Sequence, residues 1–270
     1  MPLRSAIINV MIGAAQRASR GLVHDFGEVE QLQVSRKGPG DFVSIADLKA
    51  ERTIREALAK ARPGYGFLME ESGESKGADR DRRWIVDPLD GTMNFLHGIP
   101  HFATSLALEH AGEIIAAVTY NPIAYEMFWA EKGVGAYLND RRLRVSARSK
   151  MTEALIGTGI PHGHGDDYDR YLGEVRTVMP AVASLRRFAS AALDLAYVAA
   201  GRLDGFWERG LEPWDLAAGI LLIREAGGFA SDSDGGSAIL DTGGIVCANA
   251  ELHGPLLRLL KTAPALSPGT

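Results

Sequence analysis

Two aspartates three residues apart, Asp87 and Asp90, close the apolar run Trp84-Ile85-Val86 in the stretch WIVDPLDGTMNF. The pattern recurs elsewhere: Glu70 and Glu71 end FLMEESG, and Asp215 stands in the first turn of the apolar segment EPWDLAAGILLIREAGG. Burying an unpaired carboxylate is costly and gathering like charges costs more, so acids at the ends of apolar segments fit a site that cations neutralise. Their oxygens are hard ligands suited to Mg²⁺, Ca²⁺ or Mn²⁺, and no His/Cys cluster has zinc spacing. Gly91 and Thr92 follow Asp90 directly. Here the sequence predicts that Pro88 stops the strand and that the turn brings both carboxylates to one side. The amides at Gly91 and Thr92 then open a short helix, where anions bind well. Metal ligands and a phosphate cradle would lie side by side.

Each feature alone also has a plainer reading. Asp87-Pro88 is a turn initiator, Asp215 a favourable charge at a helix N-terminus, and Glu70 or Glu71 a solvated strand end. Their joint appearance favours the metal site. His97 and His101 lie four apart, but Gly98 and Pro100 break any helix that would align them, so they read as local hydrogen bonders. PHGHGDDYD, residues 161–169, reads as a loop entering a helix with Asp166 or Asp167 as cap. Arg186-Arg187 fits a substrate contact, a dimer contact or plain exposure. Cys247, the single cysteine, reads as a buried small hydrophobe and excludes an internal disulfide.

The elements that must position these residues follow from periodicity. Helices are expected over 3–27 and over DLKAERTIREALAKARP, the latter with Asp47 as N-cap and Pro63 as stop. Short strands follow at 65–69, 83–87, 103–109, 113–121, 125–130 and 134–138, with Asn139-Asp140 as a hairpin turn before 142–146. That block should form a largely antiparallel sheet. Beyond residue 150 strands and helices alternate: strand ALIGTG, helix 167–180, strand 184–187, helix 189–200, strand 203–207, helix 213–227 capped by Gly227-Gly228, strands 228–231 and 244–248, and helix 249–261. The expected architecture is a layered α/β/α/β/α sandwich. It comprises an N-terminal α+β half (1–148) carrying most acidic site residues and a C-terminal α/β half (149–270) carrying Asp215, with the site between them.

With 270 residues, 46% of them hydrophobic and 23% charged, the chain can bury a large core. A net charge of −5 without a basic run argues against nucleic acid as partner. No stretch reaches the length of a membrane span, and the lone cysteine fits a reducing cytoplasm.

GFLMEESG, WIVDPLDGTMNF and EPWDLAAGILLIREAGG, in this order and spacing, resemble the motifs of the inositol monophosphatase family of Mg²⁺-dependent, Li⁺-sensitive sugar phosphatases. The likeness extends to KGPGDFVSIADLKAE and FASAALDLAYVAAGRLDGFWE, with Ser44 where Thr is usual, Met93 after Asp-Gly-Thr, and Ala189 where Gly is usual. It implies the fold of inositol monophosphatase and fructose-1,6-bisphosphatase, a homodimer, and two or three Mg²⁺ per site, for which Mn²⁺ can substitute. Glu70, Asp87 and the Leu89 carbonyl would hold the first ion, and Asp87, Asp90 and Asp215 the second. Thr92, polarised by Asp47, would orient an attacking water beside Glu70, in an in-line displacement by metal-activated water. The amides of Gly91 and Thr92 would take the phosphate. Lys37 would be the basic residue near the metals, Glu208 and Asp215 would meet substrate hydroxyls, and Ala191 would lie beside the ring. The expected substrate is inositol 1-phosphate. Histidinol phosphate, fructose 1,6-bisphosphate or NADP, and nucleotide 3′-phosphates are the rivals within the fold, and a non-catalytic regulatory protein is the alternative of a different class.

Overall fold

A computed structural model describes residues 3–28, 34–38, 41–161 and 166–264, with the side chains of 34–38, 41–43, 166 and 167 outside that description. α1 (Ala6–Gly27) is capped by Ser5, whose hydroxyl accepts from the Ile8 amide at 3.2 Å. It buries Ile8, Met11, Ile12, Ala15, Ala18 and Leu22, spaced three and four apart along one face. Truncating Leu22 to Ala should cost about 2–5 kcal/mol. The strands β1 (Val34–Gly38) and β2 (Asp41–Ser44), which the sequence did not announce, pair antiparallel before α2 (Ile45–Ala61). Gly38-Pro39-Gly40, which reads as a turn from its residue types, lies partly outside the described residues. Asp47 is not the cap of α2. Ser44 is, and Asp47 sits three residues on in a capping box, accepting from the Ser44 amide at 2.9 Å.

The large sheet contains β3 (Gly66–Met69), β4 (Gly73–Ser75) and β5 (Arg82–Asp90). After a short helix α3 (Thr92–Leu96) come β6 (Ala103–His110), β7 (Glu113–Asn121), β8 (Glu126–Glu131), β9 (Gly135–Leu138) and β10 (Arg141–Arg142). Its order is β10-β9-β8-β7-β6-β5-β3-β4, antiparallel throughout except that β3 runs parallel to β5. Two expectations fail here. Pro88 does not stop its strand: β5 runs on to Asp90 through a bulge, with Asp87 opposite Ser105 and Asp90 opposite Ala103. The extra residue accommodates proline's missing N–H. The strand expected at 142–146 shrinks to Arg141–Arg142, because the chain then leaves the edge and the Val145 amide bonds to the Ala226 carbonyl at 3.1 Å.

The small sheet is built from β11 (Leu155–Thr158), α4 (Asp166–Val178), β12 (Ser184–Arg186), α5 (Ala191–Ala199), β13 (Gly205–Glu208), α6 (Pro213–Glu225), β14 (Phe229–Ser231), a short α7 (Ile239–Thr242), β15 (Ile245–Ala248) and α8 (Ala250–Thr262). Its strands lie in the order β12-β11-β13-β15-β14.

Three apolar clusters define the layers. One packs α1 and α2 on the face of the large sheet that carries Trp84, Val86 and Leu106. A second joins the opposite face, through Ile85, Ala107 and Phe128, to α5 and α6 and on to Phe206, Ile245 and Cys247 of the small sheet. The third packs α8 on the far face of the small sheet, with Tyr171 and Val175 of α4 against it. The result is helices, sheet, helices, sheet, helices.

Candidate active site

The alternation of β5 decides where the first aspartate points. Trp84 and Val86 face α1 and α2, whereas Ile85 faces α5 and α6, so Asp87 follows Ile85 toward the middle helical layer. There the first turn of α6 meets it. Pro213 opens that helix, the Asp215 carboxylate accepts from the Glu212 amide at 2.8 Å, and Ser105 opposite Asp87 donates to the Trp214 carbonyl at 3.4 Å. One carboxylate oxygen from each of Asp87, Asp90 and Asp215 comes within 4.8 Å of the others. Glu70, just past β3, adds its charge and a hydrogen bond to Asp87.

The electrostatics of this cluster are one-sided. Burial, then the charges of Glu70, Asp90 and Asp215, push the Asp87 carboxyl well above the usual carboxylate range. Asp215 is pushed well up by burial and by Asp90. Asp90 is raised to about 6 by burial, even though the Ser190 hydroxyl and the Ala192 amide, the latter at 3.0 Å, both donate to it. Among the described residues, no cationic side chain is a leading influence on these three carboxyls. Four convergent acids fit hard divalent ions, whose charge would relieve the repulsion.

The bulge also sets the neighbouring groups. The Leu89 amide donates to Asp87 Oδ1 at 2.8 Å, which turns the chain after Pro88. Gly91 adopts a left-handed φ of 87°, and a Cβ there would meet the His101 carbonyl at 3.1 Å and the Ala189 carbonyl at 3.3 Å, so both conformation and space require glycine. The Thr92 hydroxyl has two acceptors within reach, Asp47 Oδ1 at 3.2 Å and the Leu89 carbonyl at 3.0 Å. Asp47 is fully buried; burial raises its carboxyl, and bonds from Ser44 and Thr92 draw it back down.

Glu208 ends β13, buried, with burial and then Asp194 and Asp90 pushing its carboxyl well up. Ala191 is the first residue of α5, beside Ser190 and so beside Asp90. The side chain of Lys37 lies outside the described residues, as do residues 162–165 of the loop before α4. His101 packs against Phe188 and Tyr197 rather than joining the carboxylates.

Three contributors lie inside the quoted stretches, yet no role was legible for them there. Ser190 has the type and place of a helix cap, yet its hydroxyl donates to Asp90 and caps nothing. Asn94 bridges the two halves of the site: its Nδ2 donates to the His101 and Phe188 carbonyls, each at 2.8 Å. Asp194 is buried with neither oxygen hydrogen-bonded among the described residues, and it acts on Glu208 through charge alone. Only the alignment of a polar residue with a distant acceptor reveals such roles, and sequence spacing does not encode it.

The inositol monophosphatase family matches residues 3–265. An inositol-1-monophosphatase from Rhizobium meliloti (strain 1021) is 60% identical over 258 residues, covering 96% of this chain and 97% of that protein. The Nus factor SuhB of Escherichia coli (strain K12) is 43% identical over 243 residues, covering 90% and 91%. Among solved structures, the extragenic suppressor protein suhB from Bartonella henselae superposes with a TM-score of 0.94 at 57% identity, over 96% of this chain and 100% of that one. With its motifs, layers and carboxylate cluster in place, the chain belongs to the inositol monophosphatase family.

Proposed function

We propose that this protein is a Mg²⁺-dependent phosphatase acting on a small phosphorylated polyol, with inositol 1-phosphate as substrate. The observation that carries the reading is the buried meeting of Asp87, Asp90 and Asp215 next to the Thr92–Asp47 hydrogen bond. The name of the Rhizobium relative supports the substrate.

Glu70, Asp87 and the Leu89 carbonyl would hold one Mg²⁺, and Asp87, Asp90 and Asp215 a second. When bound, the ions would supply Lewis-acid charge to activate water and neutralise a leaving alkoxide. The chain's own residues do the rest. The Thr92 hydroxyl donates its proton to Asp47, which leaves its lone pairs to accept from a water and orient it in line with the phosphorus. Glu70 stands ready beside it to take the proton. The Gly91 and Thr92 amides hold the phosphate, Glu208 and Asp215 accept from polyol hydroxyls, Ala191 leaves room for the ring, and the family likeness alone assigns Lys37 as the basic residue of the site. The homodimer and the cytoplasmic location belong to the same proposal; the first rests on the family likeness, the second on the lone buried cysteine.

Phosphate release from inositol 1-phosphate, histidinol phosphate, fructose 1,6-bisphosphate, NADP and a nucleoside 3′-phosphate, compared by kcat/KM, tests the substrate. Inositol 1-phosphate should lead. Activity should require added Mg²⁺ and fall with Li⁺ or Ca²⁺, since Ca²⁺ takes longer bonds and more ligands than the compact octahedral shell of Mg²⁺. Full turnover in excess chelator would end the proposal. The Nus factor relative supports a second reading, an added protein-binding role. Co-purification of a partner with a catalytically dead variant tests it.

A further inference from the structure

Glu208 lies against a glycine from a neighbouring strand. A Cβ placed on Gly159, just past β11, would come within 1.9 Å of Glu208 Oε1, 2.0 Å of its Cδ and 2.2 Å of Oε2. Gly159 does not sit in the left-handed region, so its backbone would suit any residue. What glycine supplies here is space. Among the described residues, the influences on the Glu208 carboxylate are burial and the charges of Asp194, Asp90 and Arg187, with no hydrogen bond among them. Gly159 therefore leaves the space into which this carboxylate reaches. Real Cβ contacts stay beyond 3.0 Å, so an alanine at 159 would displace Oε1 by at least 3.0 − 1.9 = 1.1 Å. The atoms it meets are the far end of a flexible side chain, so the fold can absorb the change by moving Glu208 alone.

We propose that Gly159 is a specificity-setting position, which keeps open the space where the Glu208 carboxylate meets a polyol hydroxyl. The inference rests on the polyol phosphatase reading given above. Gly159 touches no substrate in this account; it is a positioning residue that acts through Glu208. A carboxylate moved by about 1 Å loses much of its hydrogen bond to a fixed hydroxyl, an effect of about 10–10² in rate or affinity. A substrate that offers no such hydroxyl does not sense the shift.

The test is a double-mutant cycle of Gly159→Ala and Glu208→Ala, assayed with inositol 1-phosphate and with 4-nitrophenyl phosphate, alongside thermal melts. In G159A the ratio of kcat/KM for the first substrate over the second should fall about 10–10²-fold, chiefly through KM. In the E208A background the same change should alter that ratio less than about twofold, because the contact is gone. Tm should fall by a few degrees in G159A yet not fall further when alanine 159 is added to E208A. Equal losses on both substrates, or effects that add across the cycle, would overturn the inference and leave the phosphatase reading intact. A wild-type enzyme that releases no phosphate from inositol 1-phosphate would overturn both.

Discussion

Asp87, in the bulged end of β5, and Thr92, the first residue of α3, stand five residues apart, yet their substitution should have different signatures. Asp87→Asn removes charge from a carboxylate assigned to both ions, so kcat/KM should fall by about 10³ or more and Mg²⁺ affinity should collapse. Thr92→Ala should cost about 10²–10⁴ in kcat with little change in KM or in Mg²⁺ binding by calorimetry. Equal loss of metal in both variants would reduce Thr92 to a turn residue. A second carboxylate shows the opposite electrostatics. Asp232 accepts from the amides of Asp234, Gly236 and Ala238 at 2.9, 2.8 and 3.2 Å, and these bonds hold its carboxyl below the usual range. A lowered folded value means that its stabilisation is present above the unfolded pKa of about 4 and is lost as pH falls through the folded one. Asp232→Asn should therefore melt below wild type at pH 7, with the gap closing under acid. At this scale the sequence is informative about acids that end apolar runs, since both type and position show in one line. It is silent about Ser190 and Asn94, whose partners lie about a hundred residues away.

The elements were legible where periodicity was strong. β7 has the bounds expected of it, and the helices from α4 to α6 and α8 fall within a few residues of their patterns. They were illegible where pairing outweighs propensity: β4 holds only Gly73–Ser75, and the bulge at Pro88 depends on β6 across from it. The segment leading into α5 shows such an override in its backbone. Ala189 has a φ of 62°, a left-handed conformation that disfavours any side chain, held while its carbonyl accepts from Asn94 at 3.3 Å. Releasing that strain gains about 1–2 kcal/mol, and the added freedom of an unfolded glycine takes back about 0.4–1 kcal/mol. Ala189→Gly should thus melt at or slightly above the wild-type temperature. Ala189→Val should melt several degrees lower, because a β-branched residue fits this region worst.

For the whole molecule, the cluster of buried acids makes stability depend on what occupies the site. A ligand that binds only the folded chain adds RT ln(1 + [L]/Kd), about 2.7 kcal/mol at a hundredfold excess over Kd. Calorimetric melts should therefore show Tm rising with Mg²⁺ concentration and falling in chelator. The rise should be much smaller in Asp215→Asn, while the metal-free form of that variant should melt higher than metal-free wild type, because one of the repelling charges has gone. The order of the chain adds a consequence in time. β5 and its two aspartates leave the ribosome well before α6, which closes the face they present and comes only after the rest of the large sheet and α5. Until α6 docks, the nascent chain exposes an apolar sheet face and lacks Asp215, so neither the middle layer nor the full set of acids exists. Assembly of the full acid set thereby waits for α6, and a product cut short before it would be both inactive and sticky, a ready target for proteolytic clearance.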